Sequence, residues 1–245
     1  MRKRKSRVAE KANVEKRQQR EQLAKANRPH IILGNRPDDV AKWKDCDLAK
    51  VIVTEEDILA SPIPPIETTP FDESQLPKYF NFGVGDREKE LLFDTLPSLT
   101  LEGVTRIKQS SGRVDVTSRY QQAEPEEALK TSTLARLVDL RNANARGIAY
   151  ENRKRIIAEF SESENPMDTG RPEVQAALLT LRIRKLWDHL SKFKKDIGNR
   201  RSLRRLVHQR ARILRYLKQV DRDRYDRVLE RIGLEPESVE GELVV

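Results

Sequence analysis

The sequence predicts an all-α protein. A small helical bundle, a helical hairpin plus flanking helices, occupies the C-terminus, and a largely extended or irregular, partly helical extension precedes it. Three observations lead there. Apolar residues recur at three-to-four spacing from Val174 to Ile232, punctuated by Pro172, Asp221 and Gly233. Charged residues make up 36% of the 245 and hydrophobic residues 37%, so one small core can be buried but not the whole chain. Pro62, Pro64, Pro65, Pro70 and Pro77 exclude a long helix through residues 61–85, which read as an extended linker.

The elements follow in order. Residues 1–27 can form a polar helix, but Val8, Ala12, Val14 and Leu23 make no apolar stripe, so disorder is expected for it free in solution. Residues 31–60 carry short apolar pieces, and Thr54 before Glu55, Glu56 and Asp57 marks a helix start. Residues 86–96 predict a short helix, and 97–124 predict turns with at most one weak strand. Pro125 opens a further helix with Leu129, Leu134, Leu137, Val138 and Leu140 at helical spacing, and 149–161 another with Tyr150, Ile156, Ile157 and Phe160 on one side.

The last third is the best punctuated. Pro172 suits the first helical position, and Val174, Ala177, Leu178, Leu181, Leu186, Leu190 and Phe193 form a stripe. That helix is expected to run to Ile197, with Gly198 as a left-handed cap and Asn199 capping the next. The second helix turns Leu203, Leu206, Val207, Leu214, Leu217 and Val220 inward. Asp221 caps a third, which buries Tyr225, Val228, Leu229 and Ile232 and stops at Gly233 with Leu234 closing the cap. The short link between the first two helices makes them an antiparallel hairpin.

Charge is distributed unevenly. Residues 1–30 hold 11 Lys and Arg against 3 Glu, and residues 168–220 hold 15 against 4 acids; the two blocks carry +8 and +11, leaving −10 elsewhere in a chain of net +9. Lys192, Lys194, Lys195, Arg200, Arg201, Arg204 and Arg205 surround the inter-helix loop, and Arg182, Arg210, Arg212, Arg215 and Lys218 continue along the hairpin. Such one-sided density repels itself unless phosphates neutralise it, so the pattern points to nucleic acid.

Other classes are argued against. Cys46 is the only cysteine and His30, His189 and His208 the only histidines, so no disulfide forms and no His/Cys metal site or cofactor is expected. No apolar run suits a membrane span. No phosphate-binding glycine loop, nucleophile elbow or metal spacing supports an enzyme. No heptad pattern supports a coiled-coil scaffold. Residues 1–28 are basic like a transit peptide, but Glu10, Glu15 and Glu21 and a single Ser suggest retained sequence.

From about residue 150 to 234 the chain resembles the universal ribosomal protein fifteen of the small subunit, in its bacterial form. The resemblance is carried by Asp168-Thr169-Gly170-Arg171-Pro172-Glu173-Val174-Gln175, Ala177-Leu178-Leu179-Thr180, His189-Leu190, Lys194-Lys195-Asp196, Asn199-Arg200-Arg201, Leu203, Tyr216-Leu217-Lys218 and Leu229-Glu230-Arg231-Ile232-Gly233-Leu234. It implies a four-helix protein bound to the central domain of small-subunit ribosomal RNA. One surface would hold a three-helix junction through Thr169, Gly170, Gln175, Tyr216, Arg182 and Arg212. There, hydroxyl and amide groups can reach ribose 2′-OH and base edges, and Tyr216 can stack on an unpaired nucleotide. The inter-helix loop would lie in the shallow minor groove of an adjoining RNA helix through His189, Asp196 and Asn199, the carboxylate accepting from a guanine amino group. Lys194, Lys195, Arg200, Arg201 and Arg204 would meet phosphates.

Departures from the family pattern fall in that loop. Ile197-Gly198 replace a His pair, Asn199 a Ser and Ser202 a Gly, while Arg171 replaces the usual N-cap Ser and adds a phosphate-seeking charge. A long extension is typical of mitochondrial members, so a mitochondrial ribosome in the matrix is the expected location. Partners would be small-subunit ribosomal RNA, neighbouring small-subunit proteins and large-subunit RNA across the interface, with no membrane and no homo-oligomer. The domain scheme is a basic tail at 1–30, an extension at 31–124, an additional helix at 125–148, the RNA-binding domain at 149–235 and a tail at 236–245. An RNA-binding assembly factor or a helical scaffold protein is the alternative.

Overall fold

A computed structural model of the chain describes residues 7–36, 40–66, 76–109, 116–162 and 164–240. Among them there is no β-strand, only bridges between Phe80 and Asp139 and between Glu162 and Asn165. The helices in chain order are α1 (Arg7–Ala26), α2 (Val40–Asp45), α3 (Asp47–Val51), α4 (Glu55–Ala60), α5 (Asp86–Glu90), α6 (Leu96–Gln109), α7 (Val116–Leu137), α8 (Ala145–Phe160), α9 (Pro172–Lys192), α10 (Ile197–Val220), α11 (Arg222–Ile232) and α12 (Glu237–Glu240). A π-turn over Leu91–Thr95 joins α5 to α6. The all-α expectation holds. The chain divides into two compact units: residues 1–51 with 156–245, and residues 52–155.

The second unit forms around two apolar clusters. Phe80, Phe93, Ala135 and Val138 make one, with the Phe80 and Phe93 rings 6.1 Å apart; Val53, Ile58 and Leu140 make the other. Thr54 caps α4 as the sequence suggests, exchanging hydrogen bonds with Asp57 in a capping box. The Asn152 side chain is 1% exposed and binds both main-chain groups of Val53, donating to its carbonyl at 2.9 Å and accepting from its N–H at 2.8 Å. Leu76 and Tyr79, assigned to a linker by sequence, pack against these clusters.

Helix content here exceeds the expectation. Residues 97–124 read as turns with a weak strand, yet α6 covers 96–109 and α7 begins at Val116, with 110–115 outside the described residues. Pro125, taken as a helix start, lies inside α7. A mid-helix proline forfeits one backbone bond and crowds the preceding turn. Packing of α7 against α6, including the Thr100 hydroxyl within 3.1 Å of Glu127, supplies the support that local sequence lacks. Leu129, Leu137 and Tyr150, expected inward, are exposed.

The first unit is built on the α9–α10 hairpin. Ile183, Leu190, Leu203, Leu206 and Val207 interdigitate between the two helices and, together with Ile32, form their core. Burying such side chains gives about 1.5–3 kcal/mol each before chain entropy is counted. α11 buries Tyr225, Val228, Leu229 and Ile232 as expected. It ends in a Schellman motif: the Leu234 N–H reaches the Leu229 carbonyl at 2.9 Å and the Gly233 N–H that of Glu230 at 3.0 Å, with Gly233 at φ +71°. Asp221 caps α11 through the N–H groups of Asp223 and Arg224.

Residues 29–51 belong to this unit too, although sequence pattern places 31 onward in the extension. Ile32, Cys46 and Leu48 are buried. Arg210, on the inward stripe of α10, is 2% exposed and donates to the Ile32 carbonyl at 2.9 Å. Arg184 lies over the Trp43 ring, and Arg231 binds Asp47 at 2.7 Å. The Glu235 N–H reaches the Gly34 carbonyl at 2.9 Å. This segment is a strap across the hairpin and α11. Arg210, counted from sequence among the outward basic residues, is therefore an interior group.

Candidate nucleic-acid interface

The hairpin has two ends. α9 spans 21 residues, so its ends lie about 30 Å apart at 1.5 Å per residue. Because α10 runs back along α9, Arg212 and Tyr216 sit toward the end where α9 begins, and Asn199 and Arg200 toward the inter-helix loop.

At the first end the residues before α9 form a tight turn. The Asp168 carboxylate accepts from the Gly170 N–H at 2.8 Å, and the Gln175 amide, one turn into α9, donates to the Gly170 carbonyl at 3.2 Å. Thr169 and Gly170 are thereby held exposed. Gln175 braces the turn with its N–H₂ group, a role the sequence did not suggest. Tyr216 is 59% exposed, and Arg212, one turn before it, is also exposed. Arg182 is exposed farther along α9, where it lines a shallow hollow between the helices with Lys185, Asn199, Ser202, Arg205 and Gln209. Burial lowers the pKa of the Lys185 ammonium there.

At the loop end, α9 stops at Lys192 rather than Ile197, and Phe193 is 60% exposed instead of inward. Gly198 is helical and not a left-handed cap. Asp196 is the N-cap of α10: its Oδ1 accepts from the Asn199 N–H at 3.0 Å, and its Oδ2 accepts from the Asn199 side-chain amide at 2.6 Å. Asn199, expected to be the cap, is the residue capped. His189 Nε2 lies 3.1 Å from Asp196 Oδ2, and the His189 ring packs on Phe193 with centroids 4.9 Å apart. The three loop residues singled out from sequence thus form one hydrogen-bonded cluster. The Asn199 N–H, then the His189 ring and the Asn199 amide, pull the Asp196 carboxyl below the usual aspartate range.

Cations dominate the surface around this cluster. Lys192, Lys194, Lys195, Arg201, Arg204 and Arg205 are exposed, and none pairs with a carboxylate among the described residues. Arg200 differs, donating to the Lys194 carbonyl at 2.5 Å and so bracing the loop as well as charging it. Three of the four acids in 168–220 are engaged internally: Asp168 in its turn, Asp196 in its cap, and Glu173 with Arg224 at 2.8 Å. Burial pushes the Glu173 carboxyl up, but its main-chain hydrogen bond, Arg224 and Arg171 outweigh that and hold it low. Arg171, expected to seek phosphate, is instead paired with Glu162 and Glu173. Val220, expected inward, is 59% exposed.

Sequence reasoning missed the interior role of Arg210. The signal was present: 203, 207, 210, 214 and 217 alternate spacings of four and three, and Arg210 occupies an inward position in that series. Burial, followed by repulsion from Arg184, lowers its pKa to about 10.

The family model for ribosomal protein S15 matches residues 153–235. Curated relatives include the small ribosomal subunit protein uS15 of Trichlorobacter lovleyi, 49% identical over 87 residues, covering 36% of this chain and 97% of that protein. The uS15 of Halorhodospira halophila is 48% identical over 84 residues, covering 34% of this chain and 92% of that protein. The small ribosomal subunit protein uS15m of Schizosaccharomyces pombe is 40% identical over 111 residues, covering 45% of this chain and 38% of that relative.

Proposed function

The chain belongs to the ribosomal protein S15 family, and on that premise we propose that it is a structural, non-catalytic component of the small ribosomal subunit whose α9–α10 hairpin holds ribosomal RNA at both ends. The end bearing Thr169, Gly170, Gln175, Arg212 and Tyr216, together with Arg182 midway along α9, holds a three-way junction of the central domain. Exposed hydroxyl, amide and phenol groups there suit ribose and unpaired bases. The loop end, with His189, Asp196 and Asn199, lies in the minor groove of the adjoining RNA helix. Asp196 already accepts hydrogen bonds from the Asn199 main chain and side chain, with His189 at its second oxygen. A carboxylate has about four acceptor positions, leaving room for a guanine amino group.

The observation that carries this reading is the rim of exposed cations around the loop, none of them paired with a carboxylate among the described residues. A dense patch of one sign is costly to maintain unless a polyanion covers it. The relative named uS15m and the long extension support a mitochondrial ribosome, in the matrix, as the place of work. We take 149–235 as the RNA-binding domain; neighbouring small-subunit proteins would meet the remainder.

The test compares Tyr216→Ala and Thr169→Ala for affinity toward a central-domain junction RNA and for unfolding temperature. Both should weaken binding while the unfolding temperature stays near that of the parent protein. A sharp drop in unfolding temperature with affinity intact would refute the assignment. Stoichiometric co-sedimentation with the small subunit in high salt separates a resident component from an assembly factor.

A further inference from the structure

The second unit holds an exposed aromatic ring on a left-handed backbone. Phe82 is 77% exposed and has φ +61°, in the left-handed region that bulky side chains avoid. Such a backbone is strained, and exposing a phenyl ring recovers none of that cost through burial. Strain of this kind persists only where surrounding structure enforces it, and such sites concentrate where a ligand is met.

The enforcement is visible. The Phe82 N–H donates to the Asn81 side-chain oxygen at 2.8 Å, and the Asn81 N–H is tied to the Val138 carbonyl at 2.8 Å. Gly83 follows with φ +72°. The Tyr150 ring lies against Gly83, so that a Cβ built there would stand 3.1 Å from the ring edge. One turn along α8, the Lys154 ammonium donates to the Gly83 carbonyl at 2.8 Å. Tyr150 is itself 59% exposed. Arg146 and Arg153 share its helix stripe and are exposed, so the Tyr150 ring stands between cations. Of the nearby acids, Asp86 binds Lys89 at 2.7 Å, and Glu88 accepts from the Gly85 N–H at 2.9 Å.

We propose that Phe82 and Tyr150, rimmed by Arg146, Arg153 and Lys154, form a stacking platform for an unpaired base of ribosomal RNA. Aromatic rings interleaved with cations are the general means of holding single-stranded nucleic acid: the rings take base faces and the cations take the backbone. An apolar protein partner fits the rings but not the cationic rim, so RNA is the favoured occupant. The proposal rests on the reading of the chain as a ribosomal RNA-binding protein. It adds a contact outside the hairpin, with both rings and Arg146 preceding the family match, which begins at Arg153.

The experiment is ultraviolet crosslinking of the full chain in assembled small subunits, with adducts located by mass spectrometry. Nucleotide adducts are expected on Phe82 or Tyr150 as well as on the hairpin. Phe82→Asn provides the second measurement, because Asn tolerates the left-handed conformation. Binding to a single-stranded RNA of about 12 nucleotides, at a salt concentration that suppresses phosphate contacts, should weaken about tenfold. The unfolding temperature should hold or rise as strain is relieved. Adducts confined to the hairpin would overturn the platform while leaving the hairpin reading intact, and peptide–peptide crosslinks at Phe82 in place of nucleotide adducts would likewise overturn it. Adducts nowhere would overturn both readings. A lower unfolding temperature with unchanged RNA affinity in Phe82→Asn would make the ring a structural element and overturn the proposal.

Discussion

Replacing Arg210 by Met separates an interior guanidinium from an RNA-facing one. Arg210 is 2% exposed, and its pKa falls from the ordinary arginine range to about 10 because burial disfavours the charged form and Arg184 repels it. At about 1.4 kcal/mol per tenfold, the charged side chain carries roughly 3 kcal/mol against folding. The folded protein holds that proton more weakly than the unfolded chain does. The cost is therefore fully present below about pH 10 and is relieved as pH rises above that value. Against it stands the hydrogen bond to the Ile32 carbonyl at 2.9 Å, with a weaker contact to Ile31 at 3.4 Å. A hydrogen bond from a charged donor contributes about 1.5–3 kcal/mol. Met fills similar length without charge, so at pH 7 the two effects nearly cancel and Arg210→Met should shift stability by less than about 2 kcal/mol in either direction. Arg210→Ala leaves a cavity as well and should cost about 2–5 kcal/mol. Urea denaturation reads both. The slope of log affinity for junction RNA against log salt should be unchanged in Arg210→Met, whereas the exposed Arg204→Met should lower it by about one. A drop of about one for Arg210→Met would mean that its guanidinium neutralises a phosphate, and the burial account would fail.

Other perturbations test other joints. Asn152→Ala strips both main-chain groups of Val53 of their partners in a buried setting. It should cost about 2–5 kcal/mol in urea denaturation, and a loss below about 0.5 kcal/mol would show that water replaces the amide. Asp196→Asn removes a carboxylate whose pKa is held below the ordinary 3.8. Its contribution is present above that value and lost as pH falls through the lower folded one, so the gap in stability between parent and variant should narrow in acid. A gap that does not change with pH would show that the charge of Asp196 contributes nothing. Removing residues 1–28 should leave the urea midpoint almost unchanged, because the described side chains of α1 are exposed. Removing residues 1–51 also deletes the buried Ile32, Cys46 and Leu48 and should lower it sharply; equal midpoints for the two truncations would mean the strap adds no stability.

What the sequence disclosed, and what it hid, divides along physical lines. The hairpin and α11 were legible because Pro172, Asp221 and Gly233 act locally, through a fixed φ, a capping carboxylate and a left-handed turn. The start of α10 was not. Gly198 and Asn199 both carry strong boundary preferences, and the boundary went instead to Asp196, which gathers His189 and Asn199 around one carboxylate. α6 and the first turns of α7 have Thr, Ser and Gly where a self-standing helix would have Ala or Leu, so their helicity depends on neighbours that periodicity does not reveal. The strap escaped notice because its apolar residues are few and their partners lie far along the chain. At the interface, Thr169, Arg182, Arg212 and Tyr216 came from the family resemblance, and all four are exposed. The inward turn of Arg210 did not, because its charge was given more weight than its position.

The strap also fixes an order of events. Ile32 meets Arg210 across 178 residues, and Asp47 meets Arg231 across 184. A chain made from its N-terminus, or threaded through a pore in that direction, presents the strap long before its seat exists. Ile32 and Leu48 therefore stay uncovered until nearly the whole polypeptide has emerged, and closure of so long a loop comes late in folding. A chaperone that shields nascent apolar segments would find its earliest client surface there, and completion of the C-terminal helices would be the signal for release.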